Sequence, residues 1–96
     1  MTGPADPSCA DFSDRIGARF EVEAGGERVG LILETARELP GSPRPAGGFR
    51  LEFLGPADPM IGQGVFTFAI EGERYEIFIV PVARDANGTR YEAVFY

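Results

Sequence analysis

The chain has 96 residues and a net charge of −6, and it lacks both lysine and histidine, so that all nine basic residues are arginine. Hydrophobic residues (44%) and charged residues (25%) stand in the proportions of one globular domain, with a net stability of about 5–15 kcal/mol expected. An acidic chain without a basic cluster is a poor ligand for phosphate backbones and anionic bilayers, so neither nucleic acid nor a membrane is expected as partner.

No apolar run approaches the roughly 18 residues of a membrane span. The first nine residues, Met-Thr-Gly-Pro-Ala-Asp-Pro-Ser-Cys, carry no basic and no apolar region, so they do not read as a secretory signal. The single cysteine, Cys9, forms no internal disulfide. Cytoplasmic synthesis is expected, followed by assembly into a larger particle if the chain has a structural role.

Met1–Ala10 reads as a mobile Pro-rich arm, and residues 11–96 as one domain. Asp11–Gly17 has the makings of a short helical turn, with Asp11 or Ser13 capping it and Gly17 ending it. Phe12 and Ile16, four apart, would share a face and plug an open end of the core. Arg19–Ala24 alternates, with Phe20 and Val22 inward. Gly25-Gly26 then makes a hairpin that sets Val22 opposite Val29, Phe20 opposite Leu31 and Glu23 opposite Arg28. The second strand runs from Arg28 to about Leu39. Its alternation fails at Thr35 and Arg37, which calls for a bulge near Glu34–Ala36; a helical second half is the alternative.

Pro40–Gly48 is a stiff Pro-rich loop. Phe49–Leu54 alternates as a third strand, and residues 55–64 form the longest loop. Val65–Ile70 is a fourth strand, joined by a Gly72-Glu73 turn to the fifth. That fifth strand, Arg74 to about Val82, is apolar on both faces: Tyr75, Ile77 and Ile79 on one, Phe78, Val80 and Val82 on the other. An Asn87-Gly88 turn leads to the last strand. In that register Arg84 would lie over the Tyr91 ring; a longer loop with Gly88 as a bulge is equally open. Six strands in sequential hairpins without a long helix predict an all-β fold, a six-stranded antiparallel meander closed into a barrel, with a two-layer sandwich as the alternative.

Chemistry-bearing patterns are sparse. Without histidine the usual triads and most transition-metal sites fall away, and Cys9 has no base to activate it. Neither a metal site nor a cofactor is expected. The strand carboxylates alternate with apolar residues and read as solvated faces; Glu76 and Glu92, each following a tyrosine, are the pair to check for acid–base work. Asp85–Gly88 fails the calcium-loop spacing, because Ala83 and Val94 fall where carboxylates are needed. Phe53, Met60, Ile61 and Phe95-Tyr96 are candidates for an exposed apolar patch.

Phe53-Leu54-Gly55-Pro56, Gln63-Gly64-Val65-Phe66, Phe78-Ile79-Val80-Pro81-Val82 and Tyr91-Glu92-Ala93-Val94-Phe95, in that order, resemble an uncharacterised family of short all-β bacterial proteins. The resemblance extends from Phe12 onward, departs at the Pro40–Pro45 loop and at Tyr96, and brings no catalytic residue. It implies an association with tail-collar-like proteins of phage-tail-like particles.

The expected function is therefore a non-enzymatic structural or protein-interaction module. Its partner would be another protein, a second copy or a tail-collar-like protein, met through Phe95, Tyr96, Met60 and Ile61. The alternative is a small-ligand-binding barrel whose mouth is lined by Phe66, Phe68, Tyr75 and Tyr91.

Overall fold

The alternating segments become strands, and the strands close on themselves. The computed structural model describes residues 7–96. It contains one short helix, α1 (Ala10–Ser13), and six strands: β1 (Arg19–Ala24), β2 (Glu27–Leu39), β3 (Gly48–Gly55), β4 (Gly64–Ile70), β5 (Glu73–Asp85) and β6 (Gly88–Phe95). They hydrogen-bond as a closed barrel in the order β1-β2-β3-β6-β5-β4, antiparallel at every step. The sheet does not split into two layers.

The order departs from a simple meander. β3 pairs with β6, and β4 with β1, so that β4-β1-β2-β3 follow one another as in a Greek key. The cause lies in the connections. Two-residue turns force β1–β2, β4–β5 and β5–β6 to be neighbours, whereas the loop of residues 56–63 is long enough to cross the barrel end and start β4 on the far side.

The first hairpin has the expected register. The second is shifted: Phe68 faces Tyr75 and Phe66 faces Ile77, because the turn is Glu71-Gly72 rather than Gly72-Glu73. Both turn residues take positive φ, 51° and 80°, the requirement of a tight hairpin whose twist matches its strands. The third hairpin turns at Ala86-Asn87, which pairs Arg84 with Thr89 and leaves a bulge between Pro81 and Ala83. Tyr91 therefore points into the barrel, and Arg84 donates to the Ala57 carbonyl (2.7 Å) instead of covering the ring. The bulge expected in β2 lies between Leu33 and Thr35.

The inward faces fill the barrel. Phe20, Leu31, Leu33, Leu51, Phe53, Phe68, Ile77 and Ile79 are fully buried. α1 closes one end, where the buried Phe12 ring lies 5.1–6.4 Å from the rings of Phe20, Phe49, Tyr75 and Phe95. Ile16 does not join it and is 49% exposed, because α1 stops at Ser13 and the chain turns away before a second helical contact forms. The 56–63 loop closes the other end. Its Ile61 is buried, and the Ile61 N–H donates to Tyr91 Oη at 2.8 Å.

The expected mobile arm, Met1–Ala10, lies for the most part outside the described residues. Its described portion is held: the Pro7 carbonyl accepts from Arg44 Nη2, Ser8 bonds the Asp11 carboxylate, and Ala10 begins α1.

Candidate functional site

Among the described residues the barrel interior is filled by packed side chains. Of the four residues expected to line one, Phe68, Tyr75 and Tyr91 are core residues, and Phe66 is half-buried beside the 56–63 loop. They are not brought together, since Tyr75 belongs to the α1 end and Tyr91 to the loop end. What remains near them is an apolar groove of about 280 Å³ between Val29, Pro59, Met60, Ile61 and Phe66. That is at the small edge of ligand pockets, which span roughly 300–1,000 Å³.

At the α1 end an open cleft of about 700 Å³ holds the most interlocked polar group. Tyr75 Oη donates to Glu73 Oε1 at 2.6 Å, and Arg15 reaches Tyr75 Oη (3.3 Å), Glu73 Oε1 (2.9 Å) and Glu71 Oε1 (3.4 Å). The hydrogen bonds from Tyr75 and then Arg15 hold the Glu73 carboxyl below its ordinary range. Burial, aided by the bond to Glu73, pushes the Tyr75 phenol up. Arg15, Glu73 and Tyr75 bind one another, so the arrangement fastens the β4–β5 turn to the segment that follows α1. In the other cleft at this end, burial and nearby Glu38 raise the Cys9 thiol, which makes it a poorer nucleophile.

Glu76 and Glu92 do not converge. Both lie on the outer wall, Glu76 accepting from Thr67 Oγ1 (2.6 Å) and Glu92 paired with Arg50 (2.5 Å). Glu92 faces Val80, four residues along β5 from Glu76, about 13 Å away at strand spacing. Among the described residues no group of three or more His, Cys, Asp or Glu could hold a metal, and no helix is long and apolar enough to cross a membrane.

The candidate contact residues are split between the two ends. Phe95 stacks on Phe49 (4.4 Å) with Arg44 over both rings, and Tyr96 is 60% exposed with its hydroxyl on the Gly41 carbonyl. Met60 is exposed at the loop end, while Ile61 and Phe53 are core residues. These side chains do not form one patch.

A patch exists elsewhere. On the outer wall Val65 (60% exposed) faces Phe78 (48%) directly across β4 and β5, and the β5–β6 register carries Val94 (53%) toward Phe78. Val82 (53%) lies farther along β5. The sequence carried a signal for this wall: β5 is apolar on both faces, but the closed sheet covers only one of them. Around the barrel, the outer wall of β1, β2 and β3 is charged, with Arg19–Glu21, Arg28–Glu23 and Arg50–Glu52 paired on it and Arg90 of β6 reaching across to Glu34 of β2.

No curated protein and no solved structure matches the chain. Residues 7–95 match the family described as a domain of unknown function, DUF6916, and the chain belongs to that family.

Proposed function

We propose that the protein is a non-enzymatic interaction module that meets a protein partner through the outer wall of β4, β5 and β6. The observation that supports this is the Val65–Phe78 pair, two large apolar side chains directly opposed on the outside of a barrel whose inside is already filled. Covering the exposed half of Phe78 contributes about 1 kcal/mol, and its neighbours add similar amounts, so the wall favours a partner of matching apolar chemistry. A structural part in a phage-tail-like particle, beside a tail-collar-like protein or a second copy, is the setting implied by the sequence resemblance. The small groove by Met60 supports a lesser reading, that of a site for one apolar side chain or a small apolar ligand.

The test is a photo-crosslinking residue at position 78, installed in the chain in its native host, with position 21 of the charged wall as control. A discrete adduct at 78 and none at 21 is expected. Its mass separates a second 10.4 kDa copy from a different protein. Equal labelling at both positions, or none at 78, overturns the reading.

A further inference from the structure

The bulge after Leu33 changes which side chains of β2 face outward. Without it Thr35 and Arg37 would continue the inward row of Val29, Leu31 and Leu33. With it, Thr35 pairs with Glu52 and Arg37 with Arg50 on the outer wall. Two arginines are thereby set directly opposite each other, a placement that repels.

Their donors are unequally used. Arg50 Nη2 binds Glu52 Oε2 (2.9 Å) and Glu92 Oε2 (2.5 Å), but Arg50 Nε is buried without a hydrogen-bond partner. Arg37 has no ion pair among the described residues. Glu52 is engaged on both oxygens, by Thr35 Oγ1 (3.3 Å) and by Arg50. Thr35, Arg37, Arg50 and Glu52 enclose a cleft of about 100 Å³. The groups there without a bond among the described residues include N–H donors of two guanidiniums, Arg37 and Arg50 Nε, and the complement of such donors is a small planar acceptor.

We infer that this cleft is a carboxylate subsite, which takes an Asp or Glu side chain of the partner between Arg37 and Arg50. Its position fits the contact wall. Arg37, Arg50 and Val94 form one transverse row of the sheet, and the β5–β6 register, extended two residues beyond the Val80–Glu92 pair, points that row toward Phe78 and its partner Val65. At strand spacing Arg50 lies about 10 Å from Phe78, so an acidic residue flanking the partner's apolar contact would reach it. Glu52 and Glu92 balance the two arginines in formal charge, so free carboxylate binds weakly, in the millimolar range, through directed hydrogen bonds.

The location of the subsite rests on the contact-wall reading, but its chemistry is tested apart from it. The probe is acetate, titrated into the purified chain while the Arg50 Nε–H resonance is followed by ¹⁵N NMR, with chloride matching ionic strength. A saturable shift is expected, reduced at least about tenfold in affinity by Arg37→Ala and only partly restored by Arg37→Lys, which lacks the planar fork. An Nε–H that does not move, or that moves equally in Arg37→Ala, overturns the subsite. A missing adduct at position 78 overturns the wall and leaves the acetate result standing.

Discussion

The two sides of the barrel rest on one core and present opposite chemistries. Under β3, Leu51 is fully buried; under β5, Ile77 is fully buried. Above Leu51 the wall is a lattice of arginine and glutamate, with Arg50 reaching Glu52 on its own strand and Glu92 on the next. Above Ile77 the wall is Val65, Phe78 and Val80, with an ionic fastening at its foot, where Arg15 meets Glu71 and Glu73. The difference leads to the expectation that folding does not require the apolar wall. A closed sheet is stabilised by what it encloses, and exposed ion pairs are worth only about 0.2–1 kcal/mol each, enough to keep a wall soluble. Apolar side chains on the outside of such a sheet add little to the fold and much to a docked complex.

If the two walls differ only outside, deleting core volume beneath either should cost the same. Leu51→Ala and Ile77→Ala are each expected to lose about 2–5 kcal/mol in urea unfolding. A loss under one wall but not the other would place the asymmetry in the core. Phe78→Asp is the complementary break. It should weaken partner binding by at least about tenfold, roughly 1.4 kcal/mol, yet change unfolding free energy by no more than about 0.5 kcal/mol. A comparable fall in stability would make Phe78 a folding residue.

The seam between the walls is set by Gly88, whose φ of 139° and close approach to the Gly55 carbonyl leave no room for a Cβ. Gly88→Ala should cost about 1–3 kcal/mol in the same assay and loosen both walls together. On the charged side, a double-mutant cycle of Arg90→Ala and Glu34→Ala should give a coupling of about 0.2–1 kcal/mol that shrinks with added salt. The smallest effect is at the apolar wall's foot. Because the native Glu73 carboxyl lies below its unfolded value near 4.5, its stabilisation is present above that pH and is lost as pH falls through the native value. Tyr75→Phe removes the main hydrogen bond and should move that acid limb upward in a pH series of unfolding midpoints.

Much of the fold was legible because alternation and turn glycines are local. Phe20 and Val22, Phe49, Leu51 and Phe53, and the Gly25-Gly26 hairpin lie where periodicity put them. What was not legible depended on long-range closure. The loop of residues 56–63 carries no mark that it crosses the barrel end, so the β3–β6 pairing was hidden. The Glu71-Gly72 turn was missed because a glutamate in the left-handed region contradicts a glycine-only rule. The site suffered most. Tyr75 and Tyr91 looked like mouth residues, but each became a tie at an opposite end of the barrel. Phe78, Val80 and Val82 were visible as a second apolar face of β5, and only the closed sheet shows that no other described residue covers Phe78 and Val82.

The most direct measurement is hydroxyl-radical footprinting of the chain in its producing cells, compared with the purified chain. Ile16 at the barrel end and Phe78 on the wall are almost equally exposed, 49% and 48%, so each serves as the other's control. Protection of Phe78, Val65 and Val94 in cells, with Ile16 unchanged, is the result the contact wall predicts. Phe78 as reactive in cells as in isolation would contradict it.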